Sequence, residues 1–176
     1  MTKTLCPLIL AIATLLAGTR LALAGSVHTT ISISARVERF AEWADPTPVI
    51  LETDWSGPTN KVNQNRIISK PVVLYTNTDS VISAKAGLNN GVLTRGDQTL
   101  KTAYEITGAV AAPDAAFKNA GIGYGEFFSA QNTYAITHQP GVGAYTINLV
   151  VQSTSPEKSA PDEGLYTCGV ILTAEW

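Results

Sequence analysis

The chain has 176 residues, 45% of them hydrophobic and 15% charged, with a formal net charge of −2. That length suffices for one domain with a core, and the composition is too apolar and too weakly charged for a disordered chain. The absence of a basic excess removes the electrostatic footprint of a nucleic-acid partner, while 14 glycines among many Thr, Ser, Val and Asn lean towards an all-β domain with numerous turns.

In chain order, residues 1–24 read as a secretory signal peptide. Lys3 supplies the positive start, residues 8–17 (LILAIATLLA) the short apolar run, and Ala22-Leu23-Ala24 a small-x-small cleavage site. The apolar run is about ten residues, half of the roughly 20 needed to span a bilayer, and Arg20 keeps it from extending further. Cleavage after Ala24 leaves 152 residues with 10 basic and 14 acidic side chains and a single cysteine, Cys168. A lone cysteine makes no internal disulfide, so Cys168 is expected to be a small buried apolar residue.

Period-two patterning dominates the rest. Val27, Thr29, Ile31, Ile33, Ala35 and Val37 fall on one face, and His28, Thr30, Ser32, Ser34, Arg36 and Glu38 on the other; this strict alternation, rich in β-branched residues, predicts a strand. Further strands are expected over residues 49–53, 66–76, 81–86, 99–106, 133–137, 144–152 and 165–176. Pro46, Pro48 and Pro71 mark strand entries or edges, where a missing N–H is tolerated. Asn77-Thr78-Asp79 and Asn90-Gly91 read as turns, residues 155–162 as a polar loop, and residues 109–120 as the one helical turn, with Pro113 near its start and Gly121 after it. Seven or eight strands without intervening helices predict a sandwich rather than a parallel α/β sheet.

Motifs for catalysis are missing from the sequence. There is no CxxC, no HExxH and no Gly-x-Ser-x-Gly elbow, and neither His28 nor His138 has Cys or His neighbours at metal spacing; no enzyme activity, metal or cofactor is expected. Gly121-Ile122-Gly123-Tyr124-Gly125 lacks the endings of a nucleotide loop and reads as a turn. Arg95-Gly96-Asp97 spells the tripeptide read by integrins, in ordinary turn composition. Trp43, Trp55 and Tyr124 are aromatics able to stack on sugar, which keeps open a single-domain adhesin or lectin binding a host glycan or receptor.

The two ends carry the most information. Tyr166, Cys168, Val170, Leu172, Ala174 and Trp176 alternate with Thr167, Gly169, Ile171, Thr173 and Glu175, a long half-buried strand. The N-terminal alternation begins directly after the cleavage site. It either forms an edge strand of its own domain or adds a strand to a neighbour.

The start Ser26-Val-His-Thr-Thr-Ile-Ser-Ile-Ser-Ala-Arg-Val37, the central Tyr75-Thr-Asn-Thr-Asp79 and the ending Gly164-Leu-Tyr-Thr-Cys-Gly-Val-Ile-Leu-Thr173 together resemble subunits of chaperone–usher fimbriae, most closely the alpha-clade colonisation-factor and cable-pilus major subunits. Two features depart from that pattern: Cys168 inside the last strand, and an ending on Trp176. The resemblance implies an incomplete immunoglobulin-like β-sandwich over residues 39–176, preceded by a donor-strand extension over residues 25–38. It also implies a periplasmic chaperone bound along the last strand, an outer-membrane usher, identical subunits as polymer partners, and export through the periplasm to the cell surface.

Overall fold

The computed structural model describes residues 32–57, 61–111, 117–120 and 126–176. The chain divides into two units, Met1–Arg36 and Val37–Trp176. In the first, residues 32–36 contain no strand or helix. Val27, Thr29 and Ile31 lie outside the described residues, as do the signal peptide and the Gly121-to-Gly125 run.

The second unit is all-β: two antiparallel sheets face each other across one apolar core. The first sheet has the order β1 (Ala41–Trp43), β3 (Asn65–Thr76), β10 (Ala144–Thr154), β7 (Lys101–Gly108), β8 (Lys118–Asn119). In the second, β11 (Leu165–Glu175) is central. It pairs with β2 (Val49–Asp54) on one edge, and with β4 (Ser80–Ala86) and β5 (Thr94–Arg95) on the other. The short strands β6 (Gln98–Thr99) and β9 (Tyr134–Ile136) flank these.

Alternation explains the two faces, because successive side chains of a strand point to opposite sides. Tyr145, Ile147, Leu149 and Val151 of β10 are buried, as are Tyr104 and Ile106 of β7; across the core they meet Tyr166, Cys168 and Val170 of β11, Ile82 of β4 and Leu51 of β2. An aromatic group fills one end, with Tyr104 stacked on Phe127 at 4.7 Å and Phe128 edge-on to Phe127 at 5.1 Å. Cys168 is a free, fully buried thiol whose sulfur lies 3.1 Å from the Tyr104 hydroxyl, so it serves as core filling.

Two turns set the topology. Asn77-Thr78-Asp79 carries the chain from β3 in one sheet to β4 in the other, so it crosses the sandwich instead of closing a hairpin. After β4, Asn89, Asn90 and Gly91 all adopt positive φ (54°, 52° and 71°), the conformation that Asn and Gly accept most readily. This holds the chain beside β11 until β5 pairs with it.

The helical turn expected over residues 109–120 is not borne out where the chain is described. Ala111 bridges to Ala135, and Lys118–Asn119 pairs with β7; residues 112–116 lie outside the described residues. Alanine-rich composition favours helix only weakly against sheet edges that need backbone partners. Three short strands, β1, β5 and β8, fall at positions where no strand is expected from the sequence, and β6 and β7 divide the single strand expected over residues 99–106.

Candidate functional site

The first strand of the sandwich is split. β1 belongs to one sheet and β2 to the other, and the chain changes sheet through Ala44-Asp45-Pro46-Thr47-Pro48. Asp45 fixes this crossing: its carboxylate accepts the Thr47 N–H at 3.0 Å and the Thr47 hydroxyl at 2.8 Å. These hydrogen bonds hold the Asp45 carboxyl below the usual carboxylate range. The start of β1 is pinned separately. Asn77 accepts the Phe40 N–H at 2.9 Å through Oδ1 and donates from Nδ2 to the Glu38 carbonyl at 2.8 Å, while the Thr76 hydroxyl donates to the Phe40 carbonyl.

The split leaves β11 half covered. β2 registers against residues 165–170, from Leu165 opposite Asp54 to Val170 opposite Val49, and stops there. On the other edge β4 continues to Glu175, opposite Val81. Among the described residues no strand is registered against residues 171–175 on the β2 side.

Alternation in an antiparallel ladder decides which backbone groups face that gap. The Gly169 carbonyl accepts from the Gly87 N–H on the β4 side, and the Gly164 carbonyl accepts from the Trp55 N–H on the β2 side. Odd residues of β11 therefore address β4, and Leu172 and Ala174 address the open edge. β1 alternates in the same way. Phe40 and Ala44 bond to the β3 side, so the backbones of Ala41 and Trp43 face away from β3. Trp43, Val49, Val72, Ile171 and Leu172 border a depression here, and Ala41, Trp43, Leu172 and Ala174 are partly buried apolar side chains against the core. The site is a shallow groove between two sheet edges, deepest at Trp43 and Leu172, with apolar side chains below it and the backbone groups of Ala41, Trp43, Leu172 and Ala174 facing it.

A second free edge is built differently. Beyond β1, strand β3 also lacks a neighbour on its outer side among the described residues. The Thr76 N–H points to the Gly143 carbonyl and the Val73 carbonyl accepts from Ala44, so odd residues of β3 face outwards. Pro71 is one of them. Its absent N–H removes a donor from the free edge and costs nothing in the ladder with β10, a common way of blunting an edge. Residues 171–175 contain no such proline.

The residues expected at the C-terminal strand thus separate into two sets. Tyr166, Cys168 and Val170 lie in the half of β11 paired with β2 and are fully buried in the core between the sheets, whereas Leu172 and Ala174 border the open edge and Trp176 is 61% exposed. On the N-terminal alternation, Ile33 and Val37 are 91% and 78% exposed. An incomplete sandwich is implied by the resemblance, but the division of residues 165–176 into a paired half and an open half is absent from the sequence expectations, which treat them as uniform.

Of the aromatics considered for sugar stacking, Trp55 is fully buried with the Arg66 guanidinium 4.7 Å over its ring, and Trp43 belongs to the groove; Tyr124 lies outside the described residues. His138 hydrogen-bonds through Nδ1 to the Tyr145 hydroxyl at 3.0 Å. No group of three or more metal-ligating side chains occurs among the described residues, and no helix among them is long and apolar enough to cross a membrane.

A scan against protein-family models finds no match for this chain, and a search of curated proteins finds none.

Proposed function

We propose that this chain is a structural subunit of a bacterial surface fimbria, an incomplete immunoglobulin-like sandwich captured by a periplasmic chaperone and polymerised at an outer-membrane usher by donor-strand exchange, without catalysis. The observation that supports this reading is the unblunted edge of β11 at Leu172 and Ala174 over an apolar groove, in a sandwich where the free edge of β3 carries Pro71. An exposed edge of this kind templates pairing with another chain, and main-chain hydrogen bonds combined with alternate side-chain pockets are the means by which sheets accept an added strand.

The occupant in the fibre is the N-terminal alternation of the next copy. Residues 171–175 span about 17 Å at roughly 3.4 Å per residue, room for three inward side chains. Ile31, Ile33 and Ala35 match that length with their i, i+2, i+4 spacing, with Val27, Thr29 and Val37 flanking them. Burying two isoleucines contributes on the order of 3–6 kcal/mol at about 1.5–3 kcal/mol each, and each main-chain hydrogen bond adds about 1 kcal/mol net.

The test is polymerisation of the Ile31→Asp/Ile33→Asp double variant, read as heat-sensitive multimers on an unboiled denaturing gel and as fibres by electron microscopy. Placing carboxylates in the groove buries unpaired charge, at several kcal/mol per ion, and polymerisation is expected to stop. Ser32→Asp/Ser34→Asp, on the opposite face, is expected to be much milder. Wild-type polymers from the isoleucine variant would overturn the proposal.

A further inference from the structure

Outside the groove, a run of exposed residues, Arg95 to Thr99, forms the tip of the β5–β6 hairpin. Thr94 pairs with Thr99 and Arg95 with Gln98, so Gly96 and Asp97 form a two-residue turn. Gly96 has φ +57° and Asp97 keeps a negative φ, the pattern of a tight hairpin turn with glycine at its first central position. A side chain built on Gly96 would meet nothing within 4 Å: the tip stands clear of the domain.

The three side-chain positions are prepared differently. Asp97 is exposed and no hydrogen bond or ion pair falls to its carboxylate among the described residues. The Arg95 side chain lies over Gly164, whose missing Cβ leaves room for it, and its guanidinium sits 3.9 Å from Asp162, with both side chains about half exposed or more. A pair this exposed is worth about 0–1 kcal/mol, so it holds Arg95 towards Asp162 and yields to a better acceptor. The base of the hairpin is anchored. Leu93 and Leu100 are buried, the Leu100 N–H donates to the Leu93 carbonyl at 3.0 Å, and Thr94 pairs with Thr167 of β11.

We propose that Arg95-Gly96-Asp97 is a docking element for a cell-surface receptor that presents a bound divalent cation beside an acidic pocket. Asp97 supplies a carboxylate oxygen to the cation, since hard divalent ions take oxygen ligands. Arg95 offers its planar fork of donors to the receptor's carboxylate. Gly96 keeps the corner narrow enough for both to reach at once. The hairpin holds the tripeptide in one conformation before contact, which lowers the ordering cost of binding. The tip stands beside residues 162–167, at the other end of β11 from the open edge, so an added strand leaves it free. Receptor docking does not depend on polymerisation, and either can fail alone.

The experiment coats the mature protein on a surface and measures binding of a purified integrin ectodomain of the class that reads this tripeptide, with manganese present. Saturable binding is expected, abolished by EDTA and weakened at least about tenfold, equivalent to 1.4 kcal/mol, by Asp97→Glu. That substitution keeps the charge and moves the carboxylate by one methylene, and an unchanged melting temperature establishes that the variant is folded. Wild-type binding no greater than to an albumin-coated surface, binding that persists in EDTA, or equal binding by Asp97→Glu would each overturn the proposal.

Discussion

Proline substitution along β11 separates the groove from the ladder one residue at a time. The Ala174 N–H faces the open edge, whereas the Thr173 N–H addresses Ser83 across the β4 ladder. Ala174→Pro therefore removes a donor that no described strand uses, and Thr173→Pro removes one that holds the second sheet together. In a polymer, Ala174→Pro deletes one main-chain hydrogen bond and leaves the incoming strand's carbonyl unpaired, at about 1–3 kcal/mol. A loss of about 2 kcal/mol weakens each joint roughly 30-fold. In the isolated subunit the same substitution is expected to shift melting by only about 2–3 °C, whereas Thr173→Pro costs about 3 kcal/mol and lowers the melting temperature by roughly 5–10 °C. The assays are the temperature at which multimers dissociate on an unboiled denaturing gel and calorimetric melting of the subunit. Equal effects of the two variants on the subunit would refute the backbone alternation assigned to β11. Multimers of Ala174→Pro that dissociate at the wild-type temperature would show that this edge is not the joint.

Gly169→Ala is expected to destabilise the sandwich by about 1–3 kcal/mol, because an added Cβ falls 2.6 Å from the Leu88 nitrogen and 2.8 Å from its Cβ; chemical denaturation measures it. Asn77→Ala removes two hydrogen bonds that hold Glu38 and Phe40, and is expected to raise the exchange rate of the Phe40 amide while leaving core amides protected. Burial pushes the Cys168 thiol up and the Tyr134 hydroxyl up to about 12, and it raises Tyr104 as well. These groups stay protonated in the folded chain, so their contribution to stability is complete below their unfolded values and is lost as pH rises through the folded ones. Stability is expected to fall steadily above about pH 9, and ultraviolet titration should show Tyr104 and Tyr134 ionising only with unfolding.

Strands with long regular alternation are legible in the sequence: β2, β3, β4, β10 and β11 lie within about two residues of where periodicity puts them, since one buried face fixes their phase. Three residues such as Ala41-Glu42-Trp43 carry too little pattern to announce β1. The β5–β6 hairpin is hidden because Thr94–Thr99 spends its centre on a turn. Residues 109–120 mislead because Pro113 and Gly121 read as helix boundaries, where the need of neighbouring edges for partners prevails at Ala111, Lys118 and Asn119. An open groove is implied by the fimbrial resemblance, but its place along β11 is illegible for another reason. Residues 165–176 alternate uniformly, and what divides them is the length of β2, a property of a strand more than a hundred positions away.

The position of β11 also sets the order in which the domain can come together. Until β11 is available, β2 has no strand to pair with and β4 has only the three residues of β9. A sheet whose centre is made from a late segment cannot be built progressively from its early strands, and pairings this distant in sequence fold slowly. The chain must therefore pass through a period in which Val49–Asp54 and Ser80–Ala86 stand ready with nothing to hold. Any factor that reaches β11 during that interval governs whether the subunit matures or is lost to aggregation.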